Sequence, residues 1–340
     1  MVRIIVDCFG GDKSPGVNVQ GAVNAVKNNG DIMVILTGDE QILKAETEKT
    51  GYSGERIEIV HAPDVIGCDE KPTDAIRQKP ESSMMKGINM LREDDGIAGM
   101  VTIGSSGAAI AAGTLRVGRL KNVSRPAFCP MMPTMAGGFV SICDSGANVD
   151  CTPERLYQFA LMGSIYMQCA LGLEAPRVAL LNVGTEKEKG DALRREAYEL
   201  LEADKSLNFV GNMESRDLIS GKYDLVVCDG FSGNVLIKST EGACIEVLKR
   251  LKKDIFSSFR NKIGGLFLSS TLKKEKKFFD YRNYGGSVIL GTKKIMIKGH
   301  GSSTEVSIEK CVEQVYTLAS NRMNERIESA LAEAVSANKE

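Results

Sequence analysis

A polar turn stands between an apolar strand and a helix at Asp229-Gly230-Phe231-Ser232-Gly233-Asn234. Leu225 to Cys228 before it is short, apolar and β-branched, the mark of a buried strand. Val235, Leu236, Ile237, Ala243, Ile245, Val247 and Leu248 after it carry a helical pattern. In open α/β sheets, ligands bind at the carboxyl ends of strands, and a helix start offers unpaired N–H groups to an anion. Asp229, Gly233 and Asn234 are therefore candidates for holding an anionic or carbonyl-bearing substrate. Taken alone, the turn reads equally well as an ordinary βα connection with an N-cap.

The same pattern recurs. Val2–Val6 delivers a turn with Asp7, Gly10, Gly11, Asp12 and Pro15. Gly99–Ile103 leads to Gly104-Ser105-Ser106-Gly107, where small residues admit a ligand to the backbone and hydroxyls can donate to an oxyanion. Gly137–Cys143 leads to Asp144-Ser145-Gly146-Ala147-Asn148, and Val178–Leu181 to Asn182 and the charged run ending in Lys189-Gly190. Phe209 to Asp217 reads as a fifth polar turn, with Asn212 and Arg216. A Glu/Lys cluster is most often a solvated face, but beside Asn182 and Gly184 its cations could neutralise a phosphate. Neither G-x-G-x-x-G after a strand nor G-x-x-x-x-G-K-[ST] occurs, which disfavours a Rossmann dehydrogenase and a P-loop NTPase.

Those turns need a scaffold of alternating strands and helices. Strands are expected at Val2–Val6, Ile32–Leu36 and Ile57–Val60, with a loosened stretch from His61 to Pro80 holding a short helix around 73–77. A long helix is expected over Pro153–Leu171, two short strands around Val288–Leu290 and Lys294–Ile297, and one last helix from Thr304 towards Ala337. The alternation predicts an α/β fold on a mostly parallel, wound sheet.

The 340 residues suffice for one large α/β unit or two lobes. A net charge of −1 argues against nucleic acid as a partner. The nine cysteines include no C-x-x-C pair, and Asp7 interrupts the opening apolar run, so reduced thiols in a cytoplasm and no secretory leader are expected. Only His61 and His300 are present, which makes a histidine-rich metal site improbable. His300 reads equally as a structural or a functional residue. No apolar run approaches the ~18–20 residues that span a bilayer.

The charge is uneven. Residues 249–282 hold eleven Lys/Arg against three Asp/Glu, which leaves the remainder at −9. Within this stretch Ile263, Leu266, Phe267 and Leu268 form a lysine-flanked apolar tip between two amphipathic helices, a hairpin expected over 246–282 and suited to a membrane surface. A dimer interface is the competing reading and is compatible with the first. The same cations could steer an acidic partner.

Taken in order, the motifs resemble those of the bacterial phosphate acyltransferases of the PlsX family. The match lies in D-C-F-G-G-D-K-S-P from Asp7, C-D-S-G-A-N at Cys143–Asn148 and Q-F-A-L-M-G-S-I-Y at Gln158–Tyr166. It continues through L-L-N-V-G-T-E-x-x-K-G at Leu180–Gly190, G-N-M-E-S-R-D at Gly211–Asp217, D-G-F-S-G-N-V at Asp229–Val235 and H-G-S-S at His300–Ser303. Cys8-Phe9 stands where the family has Ala-Met, Ser105-Ser106 where it has Asn-Thr, and Met213 and Ser215 where it often has Val and Gly.

The resemblance implies a layered α/β/α fold with a deep cleft, like phosphotransacetylases and isocitrate-type dehydrogenases, as one catalytic unit over 1–340 that forms a homodimer. It implies that inorganic phosphate attacks the thioester of a long-chain acyl-acyl carrier protein, with no cofactor or metal. The acyl phosphate would feed a membrane glycerol-phosphate acyltransferase, with the protein cytoplasmic and peripherally bound to the inner face of the membrane. Phosphate is itself the nucleophile, and a thiolate of pKa near ~8.5 leaves with little acid help. Lys189 is then the expected cation for phosphate or oxyanion charge, and Asn234 the expected amide donor. Supporting roles go to Asp7, Gly10, Gly11, Asp12, Ser105, Ser106, Asn148, Asn182, Asn212, Arg216, Asp229, Gly233 and His300. A short-chain phosphotransacylase using coenzyme A and an inactive membrane scaffold are the competing readings.

Overall fold

The computed structural model describes residues 1–257, 259–278 and 284–337, with the backbone alone for residues 259–264, 266, 276 and 277. The chain begins β1 (Val2–Asp7), α1 (Gly16–Asn28), β2 (Ile32–Gly38), α2 (Glu40–Lys49), β3 (Ile57–His61), α3 (Pro72–Gln78) and α4 (Ser83–Glu93). It continues β4 (Ile97–Thr102), α5 (Ser106–Ala112), β5 (Ala127–Cys129), β6 (Met131–Pro133), β7 (Phe139–Cys143), α6 (Pro153–Leu171) and β8 (Val178–Asn182). Next come α7 (Ala192–Ala203), β9 (Phe209–Glu214), β10 (Leu225–Val227), α8 (Gly230–Ile255) and α9 (Phe259–Phe278). The described residues end with β11 (Ser287–Leu290), β12 (Ile295–Lys298), α10 (Glu305–Ser320) and α11 (Met323–Ala337).

The strands form two sheets, one in the order β3-β2-β1-β4-β12-β11-β5 and the other β6-β7-β10-β8-β9. Pairing is parallel except for β11 with β12 and β5, and β6 with β7. The parallel strands read as continuous apolar runs because both their faces are covered. Ile4 and Val6 of β1 pack towards α1 and α10, while Ile5 packs towards α4 and α5. In the second sheet Val178, Leu180, Leu225 and Val227 join the first cluster, and Ala179, Leu181, Val226 and Cys228 turn towards Leu236 and Ile237 of α8. A single core thus reaches both sheets through α1, α6, α7 and α10. At its centre the fully buried Tyr166 of α6 accepts a hydrogen bond at 2.8 Å from Gln314 of α10.

The α/β class and the layered arrangement are as the sequence implied. Four local expectations are revised. The segment 211–214 is strand rather than turn, because β9 pairs with β8 as far as Glu214. The helix after β10 starts at Gly230, with Asp229 as its N-cap accepting from Ser232 N, so Gly230–Asn234 is helix and not loop. The last helix is two, broken where Arg322 adopts a φ of 52°. Finally, Ile263–Leu268 lies inside α9 rather than between two helices.

Beyond Thr240, α8 runs on through residues 241–255 with no buried side chain, about 22 Å at ~1.5 Å per residue. Ile245, Val247 and Leu251 are exposed there. In α9, Gly265 lies against the end of α8, where an added Cβ would be 2.8 Å from the Phe256 ring. Phe267 is 83% exposed and Leu268 48%. The side chains of Ile263 and Leu266 lie outside the described residues. Among the described residues, no helix is long and apolar enough to cross a membrane.

Candidate active site

The chain passes from the first sheet to the second between β5 and β6, where Pro130 alone separates them. A cavity of about 560 Å³ opens at this crossing. One wall is Gly104-Ser105-Ser106-Gly107 at the start of α5, and another is Lys298-Gly299-His300-Gly301 after β12. Phe128, Pro130 and Met131 form an apolar side, and Asn234, Ile237, Lys238 and Glu241 of α8 face them together with Ser145 and Gly146. Asn234, Lys238 and Glu241 share the cavity because positions i, i+4 and i+7 lie on one helix face.

The first turn of α8 is held tightly. Asp229 accepts from Ser232 N and Ser232 Oγ, each at 2.8 Å, and pairs with Arg194 of α7. Arg194 also donates to Ser232 Oγ at 3.1 Å and to Asp191 at 2.8 Å. Gly233 lets the helix meet the β7 turn, since a Cβ there would be 2.0 Å from the Asp144 carbonyl oxygen. Gly146 lies against Asn234, whose Nδ2 would be 2.8 Å from a Cβ at that position. The Asn234 amide makes no hydrogen bond to any described residue, so its two N–H groups remain for a ligand.

Asp144 organises the turn below. Its carboxylate accepts from Phe128 N (3.0 Å), Gly146 N (3.1 Å), Ala147 N (3.0 Å), Asn148 N (2.6 Å) and Asn148 Nδ2 (2.9 Å). Burial pushes its carboxyl above the ordinary value, against the pull of these donors. Asn148 Nδ2 also donates to Pro126 O at 2.8 Å, so the amide is committed to the wall rather than to the cavity.

On the opposite side Asp7 accepts from Thr102 Oγ1 at 2.7 Å, and Gly104 N donates to the same hydroxyl at 3.1 Å. Burial raises the Asp7 carboxyl above its ordinary value, while hydrogen bonds from Ser83 and Thr102 pull the other way. Gly10, at a φ of 96°, has no room for a side chain, because a Cβ would be 2.9 Å from Gly104 Cα. Gly11 is closed by Ile103, and Asp12 N donates to Gly301 O at 2.8 Å. The β1 turn therefore braces the two cavity loops from behind. Ser105 caps α5, accepting from Ala108 N at 3.4 Å, and Ser106 is exposed. His300 Nδ1 accepts from Ser302 N at 3.1 Å, which leaves the neutral ring its proton on Nε2.

Of the residues singled out from sequence, Ser105, Ser106, Asn234 and His300 line the cavity. Asp7, Gly10, Gly11, Asp12, Asn148, Asp229 and Gly233 build its walls. Lys189, Asn182, Asn212 and Arg216 belong instead to the ends of β8 and β9. Asn182 Nδ2 donates to Lys189 O at 3.0 Å and Asn212 Nδ2 to Glu186 O at 2.8 Å, so both amides shape the loop that carries Lys189. The Lys189 side chain is exposed, and its ammonium makes no hydrogen bond or ion pair with any described residue. Arg216 pairs with Glu214 on the surface.

Sequence reasoning passed over Lys298, Lys238 and Cys68, which also line the cavity. Lys298 was legible by the rule that found the other turns, since it ends a strand and precedes Gly299-His300-Gly301. Lys238 and Cys68 carried no such signal.

Comparison with known proteins agrees with this architecture. The sequence pattern of the family described as "Fatty acid synthesis protein" matches residues 2–326. A phosphate acyltransferase of Clostridium acetobutylicum is 44% identical over 330 residues, covering 97% of this chain and 99% of that protein. One from Clostridium novyi is 44% identical over 328 residues, covering 96% and 98%. Among solved structures, a phosphotransacetylase from Streptococcus pyogenes superposes with a TM-score of 0.62 at 17% identity, covering 94% of each chain. A branched-chain phosphotransacylase from Enterococcus faecalis gives 0.58 at 17%, covering 94% and 99%, so these two share the fold. The full-length similarity settles the matter of kinship: the chain is an acyltransferase and belongs to the fatty acid synthesis protein family, with the phosphate acyltransferases.

Proposed function

We propose that the protein transfers a long-chain acyl group from acyl carrier protein to inorganic phosphate, giving acyl phosphate and free carrier for phospholipid synthesis. The observation that carries this reading is the cavity. It brings the unpartnered amide of Asn234 and the hydroxyls of Ser105 and Ser106 into one lining with the apolar Phe128, Pro130 and Met131. A thioester with an aliphatic tail and a small anion need both kinds of wall together.

A phosphate oxygen attacks the thioester carbonyl carbon and forms a C–O bond. The carbonyl oxygen takes up the electron pair, and the Asn234 amide donates to it as charge develops. The intermediate collapses, the C–S bond breaks, and its electron pair leaves with sulfur, which takes a proton from solvent. Lys189 adds positive charge from the loop after β8 when the acyl carrier is docked. No side-chain nucleophile is needed, and no metal or cofactor enters.

The exposed apolar residues of α8 and α9, set among lysines, support a reversible peripheral contact with an anionic membrane surface. That contact suits a product destined for a membrane glycerol-phosphate acyltransferase. A homodimer over the single unit 1–340 and a cytoplasmic location on the inner membrane face complete the reading.

The test is direct. Purified protein with palmitoyl-acyl carrier protein and inorganic phosphate is expected to yield acyl phosphate, trapped as a hydroxamate. Turnover with palmitoyl-coenzyme A is expected to be at least about tenfold lower in kcat/KM, a difference of ~1.4 kcal/mol in transition-state binding. Preference for a short-chain coenzyme A thioester would replace this reading with a phosphotransacylase. No product from either donor would leave a binding protein.

A further inference from the structure

We propose that Lys298 is the cation that holds inorganic phosphate in the cavity, a role that rests on the acyl-transfer reading above. Lys298 ends β12, next to the end of β4, where it pairs in register with Thr102. It is 9% exposed and lines the cavity. Its ammonium donates to Ile103 O at 3.4 Å and to Gly299 O. Two carbonyls satisfy hydrogen bonds but carry no net charge. The lysine forms no ion pair with any described residue.

The surroundings explain why. Asp7, the carboxylate behind it on β1, is engaged by Thr102 Oγ1 and Phe9 N. Cys311 of α10 packs behind it as well, and burial pushes that thiol up to about 12, so it stays neutral. Desolvation is the dominant effect and lowers the lysine's pKa to about 8, although the Asp7 charge, which reaches it without forming an ion pair, favours the ammonium. A cost of that kind is retained where an anion is meant to arrive. Ser105 and Ser106 stand on the adjoining wall, ready to donate to the same anion. Lys189 and Lys238 are both exposed, and neither is fixed against a wall as Lys298 is.

The experiment measures phosphate directly and kinetically in the full-length chain. Lys298→Met and Lys298→Gln both remove the charge at similar volume, and Gln keeps a donor for the carbonyls. Equilibrium binding of inorganic phosphate without acyl donor is expected to weaken about tenfold to a hundredfold in both, the range for a lost charge-assisted hydrogen bond. In turnover, the KM for phosphate is expected to rise by a similar factor while the KM for the acyl donor stays within twofold. Melting temperature is expected to fall less in Lys298→Gln, which keeps a donor for the two carbonyls, than in Lys298→Met, which does not. Phosphate binding unchanged in both variants overturns the proposal. So does a fall in kcat at unchanged phosphate KM, which would put the lysine on the carbonyl oxygen. Parent protein that binds no phosphate, or failure of both variants to fold, overturns it too. Parent that binds phosphate through Lys298 but forms no acyl phosphate would sink the acyl-transfer reading and leave this one standing.

Discussion

Asn234→Ala is expected to lower kcat by about 10²–10³, the usual loss when one oxyanion donor is removed. Few substitutions here should separate activity from folding so cleanly. The Asn234 amide is bonded to no described residue, so nothing buried is orphaned by truncation. The backbone that carries it is fixed by the Asp229 cap and the Arg194 pair, neither of which the substitution touches. Thermal stability should therefore stay within about 0.5 kcal/mol of the parent, as for other changes away from buried networks. Asn234→Asp tests the sign of the effect. It keeps the shape, replaces a donor with a negative charge, and should be no better than alanine because a carboxylate repels both phosphate and a developing oxyanion. The readout is kcat for acyl-phosphate formation beside a thermal melt. A folded Asn234→Ala protein that turns over within threefold of the parent would remove Asn234 from the reaction.

The place of Asn234 shows what the sequence could and could not give. That it follows a buried strand and begins a helix was legible, because Leu225–Cys228 and the apolar positions from Val235 onward have different periods. That it projects from an established helix was not, because Gly230 and Gly233 read as loop. Gly233 is there for contact with the Asp144 carbonyl rather than for flexibility, and such a contact is formed only in three dimensions. The same limit hid the two-sheet arrangement. Most strand positions were readable, but β5, β6 and β9 were not, and nothing local says that β5 closes one sheet and β6 opens the next across Pro130.

Two helices went unread for a different reason. Leu43 is the sole buried side chain of α2, and only Ala197 and Leu201 are buried in α7, so neither carries a wide apolar stripe. The break in the last helix was invisible because Asn321-Arg322 contains no Gly or Pro. In the site, residues in polar turns were found; Lys298 ends a strand before such a turn and was within reach of the same rule, but its burial, which sets it apart from a solvated lysine, is formed only in three dimensions. Lys189 had the reverse fate. Its motif singled it out, yet its side chain stands in solvent, outside the cavity wall.

Asp144→Ala is expected to cost on the order of 3–5 kcal/mol of folding stability, the range for breaking a buried charged network by removing one partner. The reasoning turns on donors rather than on charge. Asp144 is wholly buried, and the N–H groups of Phe128, Gly146, Ala147 and Asn148 converge on it together with the Asn148 amide. Phe128 belongs to the first sheet and Asp144 follows a strand of the second, so the carboxylate ties the sheets beside the cavity. Asn is isosteric but does not rescue. Oδ1 accepts from Phe128 and Gly146, and Oδ2 from Asn148, so an NH₂ placed at either position meets a donor. Asp144→Asn should accordingly lose more than half of what alanine loses, which is the mark of an acceptor-only site. Chemical denaturation of both variants measures this. An asparagine variant within about 1 kcal/mol of the parent would mean that the N–H groups find other partners. Because Ser145 and Gly146 line the cavity and Gly146 touches Asn234, turnover should fall in both variants even at temperatures where they remain folded.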